Sequence, residues 1–128
     1  MDNCHSHEKN EKYMSAKYRN SILKRYNNKC PISGHVGELA DACHILERKY
    51  SLESFDKNDV YNGILLSKTL HTAFDKKYFT FNDETLKVKI LNPDIDLHNI
   101  GLIEGKYIWQ LDNEKSKYYL KLRNKVFT

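Results

Sequence analysis

Cysteine is scarce and irregular in this chain: Cys4, Cys30 and Cys43 make an odd number at uneven spacing, which argues against the disulfide framework of small secreted domains. There is no Cys-x-x-Cys pair, since Cys30 is followed by Ser33 rather than a second cysteine, so a structural zinc ribbon is not expected. No apolar run approaches the roughly 18 residues that a membrane span needs. The opening Met1-Asp2-Asn3-Cys4-His5-Ser6-His7 is too polar for a signal peptide. The expectation is a soluble, cytoplasmic protein. Internal repeats are absent as well, and 128 residues suffice for one domain and one core with little left over.

What the chain does have is charge, unevenly placed. The net charge of +4 is modest. Between Glu8 and Lys29, however, the bases Lys9, Lys12, Lys17, Arg19, Lys24, Arg25 and Lys29 face only Glu8 and Glu11. A second cluster is Lys115, Lys117, Lys121, Arg123 and Lys125, and Tyr13, Tyr18, Tyr26, Tyr118 and Tyr119 are interleaved with the two. That pattern suits a polyanion held along its backbone. It suits two solvated amphipathic helix faces equally well, and charge alone does not decide.

Periodicity gives a coarse outline. Met14, Tyr18, Ile22 and Tyr26 recur every four residues, which predicts an amphipathic helix over residues 11–27 with Asn27-Asn28 as its stop. Pro31 and Gly34 mark a turn, and residues 38–46 read as a first strand delivering His44 near its end. Residues 47–61, rich in Lys, Asp, Ser and Asn, read as a connecting loop. A short apolar strand, Gly63-Ile64-Leu65-Leu66, is closed by Ser67, a good N-cap for a helix starting at Lys68. Residues 78–81 and 86–90 predict a hairpin around Asn82-Asp83-Glu84-Thr85. Residues 106–111 read as a short strand, and Asp112 or Asn113 can cap a final helix through about Lys125. Residues 1–9 are expected to be disordered, leaving 10–128 as one domain of α+β class.

Two segments carry the chemistry: Asp41-Ala42-Cys43-His44-Ile45-Leu46, and the run from Tyr61-Asn62-Gly63 through Leu70-His71-Thr72-Ala73-Phe74-Asp75. Their polar residues make little sense as ordinary core. A neutral imidazole titrating near pH 6.5 can take a proton from water close to neutrality, which Lys and Arg cannot do easily. His71 and Asp75, at i and i+4 on a helix, point the same way. An imidazole nitrogen with a carboxylate oxygen suits Mg²⁺, Mn²⁺ or Zn²⁺.

The order His, Asn, His, each half led by an apolar strand, resembles the HNH nucleases of the ββα-metal fold. Cys30-Pro31-Ile32-Ser33-Gly34, Cys43-His44-Ile45, Asn62-Gly63-Ile64-Leu65-Leu66-Ser67 and His71-Thr72-Ala73-Phe74-Asp75 are similar to the HNH subfamily of bacterial and phage restriction-type endonucleases. The similarity covers residues 18–91, with a weaker continuation through Gly105-Lys106 and residues 118–127. The resemblance implies a ββα-metal catalytic centre, its core over about residues 30–91, with flanking helices and an additional β-hairpin. It also implies hydrolysis of DNA phosphodiester bonds, by nicking or double-strand cleavage, with one divalent metal (Mg or Mn, with Zn possible), in a protein of bacterial, phage or viral origin. The competing reading is a non-catalytic nucleic-acid-binding module on the same scaffold.

Carried over residue by residue, the resemblance implies that His44 is the general base. Asn62 then bridges loop and strand by side-chain hydrogen bonds near His44, and His71 is a metal ligand with Asp75 beside it. Asn62 reads alternatively as a turn residue before Gly63, and Asp75 as a surface acid near Lys76 and Lys77. Many such enzymes have Asp or His immediately before the catalytic histidine, where this chain has Cys43. That thiol is either a ligand favouring a soft metal or a packing residue, and Asp41, on the same side of the strand by alternation, is a fallback ligand. Lys24, Arg25, Arg48, Lys76 and Lys77 are the candidate DNA contacts. His5, His7, His35 and His98 are not expected to be catalytic. The protein would act as a monomer or a homodimer, two sites being needed to cut both strands at once.

Overall fold

The computed structural model of the chain describes residues 16–47 and 58–127. The expected disorder of residues 1–9, Met14 on the first helical face, most of the loop before Val60, and Arg48 lie outside the described residues. Within them the chain is a mixed α+β structure of three α-helices and two small antiparallel sheets. No helix among the described residues is long and apolar enough to cross a membrane.

Helix α1 (Ala16–Arg25) buries Tyr18 and Ile22, and Tyr26 follows them into the core, as the four-residue period predicts. It stops where Asn27 and Asn28 take φ of 58° and 61°. Asparagine tolerates the left-handed region better than most residues, and the Asn28 amide reaches back to the Leu23 carbonyl at 2.7 Å. The Cys30–Gly34 turn is closed by the Gly34 amide donating to the Cys30 carbonyl at 2.8 Å, with Gly34 at φ 79°.

Strand β1 (Ala40–His44) pairs with β2 (Gly63–Ser67), Ala40 opposite Ser67 and His44 opposite Gly63. Every residue of both strands is buried, because α1 covers one face of this hairpin and the next helix, α2 (Lys68–Asp75), contacts it as well. Alternation places Ala40, Ala42 and His44 on one face and Asp41 and Cys43 on the other. Gly63 shows how closely α1 approaches the first face. A Cβ there would lie 2.1 Å from Ile22 Cδ1 and 2.7 Å from the Tyr18 hydroxyl. Ser67 occupies the N-cap position of α2, but its side chain makes no cap hydrogen bond: it is buried within the β1–β2 ladder, opposite Ala40.

Strands β3 (Phe79–Phe81) and β4 (Val88–Ile90) form the expected hairpin. Phe74, Phe79 and Phe81 pack ring against ring behind α2. The strand predicted over residues 106–111 does not form. A single Lys87–Tyr107 bridge is made, and the chain then turns into a 3-10 helix at Trp109–Leu111. Helix α3 (Glu114–Phe127) is capped by Asn113, whose side chain accepts from the Ser116 amide at 2.8 Å. It joins both halves of the structure: Ser116 Oγ donates to the Tyr61 carbonyl, Tyr119 donates to Asp59, and Asn124 bonds Thr80 and the Phe81 carbonyl.

Candidate active site

Asn62 sits immediately before β2 and has no exposed surface. Its side-chain oxygen accepts from the Leu46 amide at 2.8 Å, and its side-chain nitrogen donates to the Leu46 carbonyl at 3.3 Å. Its own carbonyl accepts from the Ile45 amide at 3.0 Å and from the Tyr18 hydroxyl at 3.4 Å. Three of these bonds hold the two residues that follow His44. An amide side chain can do this because it carries a donor and an acceptor a fixed distance apart. The end of β1 is thereby fixed by side-chain and main-chain atoms of one residue.

His44 lies at that end, on the face that meets α1. Its ring stacks on Tyr18 with centroids 5.1 Å apart and planes within 8°, and the residue is 6% exposed. Tyr18, read from the sequence only as part of a core stripe, therefore fixes the plane of this imidazole while its hydroxyl bonds the neighbouring Asn62 carbonyl. Helical spacing carries no signal of that second role.

On the other face of β1, three of the predicted residues come together. His71, which has no exposed surface, presents Nδ1 to Asp41 Oδ2 at 2.9 Å and Nε2 to Asp75 Oδ2 at 3.2 Å. Asp41 also takes the Lys68 ammonium at 2.7 Å. Burial of Asp41 pushes its pKa up, but the hydrogen bond from His71 and then that from Lys68 outweigh it and hold the group down at about 2, against an ordinary 3.8. Asp41 is therefore a carboxylate near neutral pH and can only accept. The proton of the His71–Asp41 bond accordingly sits on Nδ1. Nε2 then faces the Asp75 carboxylate at 3.2 Å, within hydrogen-bond distance. The two are stable side by side only with a proton or a cation between them.

This donor set fits a divalent ion at one place. His71 Nε2 and Asp75 Oδ2 are a nitrogen and an oxygen at a spacing suited to two ligands of one metal, whose bonds are about 2.0–2.2 Å. Asp41 on the opposite nitrogen supplies the carboxylate that commonly orients a metal-binding histidine. The two carboxylates approach nitrogens that point away from each other, so Asp41, His71 and Asp75 do not surround a single point. Cys43 is buried, with its thiol donating to the Asp41 carbonyl at 3.4 Å. Among the described residues no group of three or more His, Cys, Asp or Glu side chains is arranged to hold an ion.

A buried arginine completes the surroundings. Arg123 of α3 donates from Nη1 to the Ile45 carbonyl at 3.0 Å and from Nη2 to the Phe74 carbonyl at 2.6 Å. Its guanidinium carbon lies 3.5 Å from the Phe74 ring centre. The sequence places Arg123 in a basic cluster. The available signal was its position one turn beyond Ser116, Tyr119 and Leu120, all buried on one stripe of α3.

Of the candidate DNA contacts, Lys24, Lys76 and Lys77 are exposed. Arg25 is half-buried and engaged: Nη1 donates to the Tyr26 hydroxyl at 2.9 Å, Nη2 to the Gln110 carbonyl, and the guanidinium carbon lies 4.8 Å from the Tyr61 ring centre. His35 and His98 are exposed and stand apart from these groups.

Residues 30–82 match the family model described as HNH endonuclease. This segment holds β1, β2 and α2 and therefore His44, Asn62, His71 and Asp75. No curated protein matches the chain.

Proposed function

We propose, from the match of residues 30–82 to the HNH endonuclease family model, that this protein is a metal-dependent endonuclease hydrolysing DNA phosphodiester bonds at a ββα-metal centre formed by β1, β2 and α2. The observation that carries the reading is the His71 imidazole held between two carboxylates, one on the strand that bears His44 and one on its own helix. A buried cluster of this kind is a poor way to stabilise a core, since burying charged groups costs several kcal/mol before their attraction is counted. It is a good way to hold a cation.

His44 is the general base. A water poised against a scissile phosphate gives up a proton to this ring, whose plane Tyr18 fixes and whose strand end Asn62 fixes. Such a base contributes typically 10²-fold to 10⁴-fold. His71 Nε2 and Asp75 are the residues that would hold the divalent ion, with Asp41 orienting His71 and Lys68 anchoring Asp41. When bound, the ion supplies Lewis-acid neutralisation of phosphate charge and helps the departing oxygen. Exposed Lys24, Lys76 and Lys77 contact the DNA backbone, whose affinity is largely electrostatic.

Purified protein is incubated with supercoiled plasmid, with and without Mg²⁺ or Mn²⁺, beside His44→Ala. The expected result is metal-dependent nicking or linearisation that His44→Ala loses while its DNA affinity stays nearly intact. Cleavage by His44→Ala at the wild-type rate would remove His44 from the site. The competing reading, a non-catalytic nucleic-acid-binding module, draws on the burial of the cluster, with His71 at 0% and Asp75 at 8% exposure. DNA binding without cleavage in either metal would establish it.

A further inference from the structure

Arginine is seldom fully buried unless something demands its charge or its fork of donors, yet Arg123 is 1% exposed. We propose that Arg123 is the positioning residue that keeps the two halves of the site in register, a role that rests on the nuclease reading above. Its two acceptors are not arbitrary carbonyls. Ile45 directly follows His44, and Phe74 directly precedes Asp75, so one planar guanidinium spans the main chain next to the base and the main chain next to the carboxylate ligand. Its face rests on the Phe74 ring, which leaves the fork little freedom to tilt. The base and the ligand belong to different elements on different faces of the hairpin. The His71–Asp41 bond also ties β1 to α2, but Arg123 bonds the main chain immediately beside His44 and immediately beside Asp75.

Charge makes the same link. Burial lowers the pKa of Arg123 from 12.5 to about 10, opposed by the nearby carboxylates of Glu47 and Asp75. The group remains cationic at neutral pH and shares its field between a ligand carboxylate and a second acid. Lysine keeps the charge but cannot reach both carbonyls with parallel donors.

The test is Arg123→Lys in the full chain, with Mn²⁺ affinity measured without DNA from the paramagnetic signal of free Mn²⁺, and kcat and KM for plasmid nicking measured well below the melting temperature. The expected result is a loss of about tenfold in Mn²⁺ affinity, as for other residues that orient metal ligands. A fall in kcat of about 10²-fold, the effect of a misplacement on the order of 1 Å, accompanies it, with KM within about twofold. A variant that melts earlier but keeps wild-type Mn²⁺ affinity and kcat overturns the proposal. Should Arg123→Lys fail to fold, Phe74→Leu carries the test, because it keeps the Phe74 carbonyl but removes the ring on which the guanidinium rests. Mn²⁺ affinity is then expected to fall severalfold, and unchanged affinity overturns the proposal. Wild-type protein that binds Mn²⁺ but does not nick refutes the nuclease reading, and the affinity comparison still decides the role of Arg123. Wild-type protein that does neither overturns both.

Discussion

Removing the charge of Asp41 isolates the interaction that orients His71. The folded-state pKa of about 2, against 3.8, means that folding favours the ionised form. The stability this contributes is fully present above pH 3.8 and is lost as pH falls towards 2. A shift of that size corresponds to about 2.5 kcal/mol at 1.36 kcal/mol per unit. The Lys68 end of the network is open to water, with its side chain 61% exposed, so screening reduces the expected contribution to about 1–2 kcal/mol. Other carboxylates titrate in the same window, which is why the comparison is with Asp41→Asn. Urea unfolding of both proteins in EDTA, at intervals between pH 6 and pH 2, gives the difference in stability as a function of pH. That difference is expected to be largest near neutrality and to shrink by about 1–2 kcal/mol below pH 4. Parallel curves for the two proteins across the whole range would refute the reasoning, because Asp41 would then have the same proton affinity folded and unfolded.

Gly63→Ala is expected to lower stability by about 1–3 kcal/mol, read by thermal or urea unfolding, since the added Cβ runs into Ile22 Cδ1 and the Tyr18 hydroxyl; a melting temperature within error of wild type would mean that α1 yields freely. Burial first, opposed by Arg25, raises the pKa of Tyr26 to about 12. An acid with a raised folded pKa loses its contribution as pH climbs from 10 to 12, so Tyr26→Phe should flatten the alkaline decline in stability, and an identical decline in the two proteins would show that Tyr26 titrates as freely folded as unfolded. Lys24→Ala and Arg25→Ala should separate: the first lowers the slope of log affinity for DNA against log salt by about one contact without changing stability. The second lowers stability, because its guanidinium is bonded to Tyr26 and the Gln110 carbonyl; equal salt slopes for Lys24→Ala and wild type would show that Lys24 is merely solvated.

The parts of the fold that were legible in the sequence are those set by local pattern. The period of Tyr18, Ile22 and Tyr26 located α1, Asn27-Asn28 located its end, and the switch from the apolar run at Gly63 to the spacing of His71 and Asp75 located the passage from β2 to α2. Local pattern also misled. Ser67 has an N-cap composition, but the sheet uses that residue first. Residues 106–111 read as a short strand yet make only an isolated bridge, Tyr107 with Lys87, among the described residues. In the candidate site, Asp41, His71 and Asp75 were named from the sequence, but not that the imidazole lies between the two acids. That arrangement depends on how α2 packs on β1 and has no signature in spacing. From the sequence Tyr18 reads as a core residue, Lys68 as the start of a helix and Arg123 as one of a basic cluster, since the groups they serve lie far away along the chain.

The two hydrogen bonds of Arg123 reach across 78 and 49 positions of sequence, and this bears on the order in which the molecule is made. A ribosome joins residues 30–82, with His44, Asn62, His71 and Asp75 among them, well before it reaches residue 123. A nascent chain at that stage carries every group assigned to the chemistry without the guanidinium that bridges them. Synthesis thus supplies a delay of its own: until residue 123 is added, β1 and α2 can meet through Asp41 and His71 but lack the bridge between the Ile45 and Phe74 carbonyls that α3 supplies.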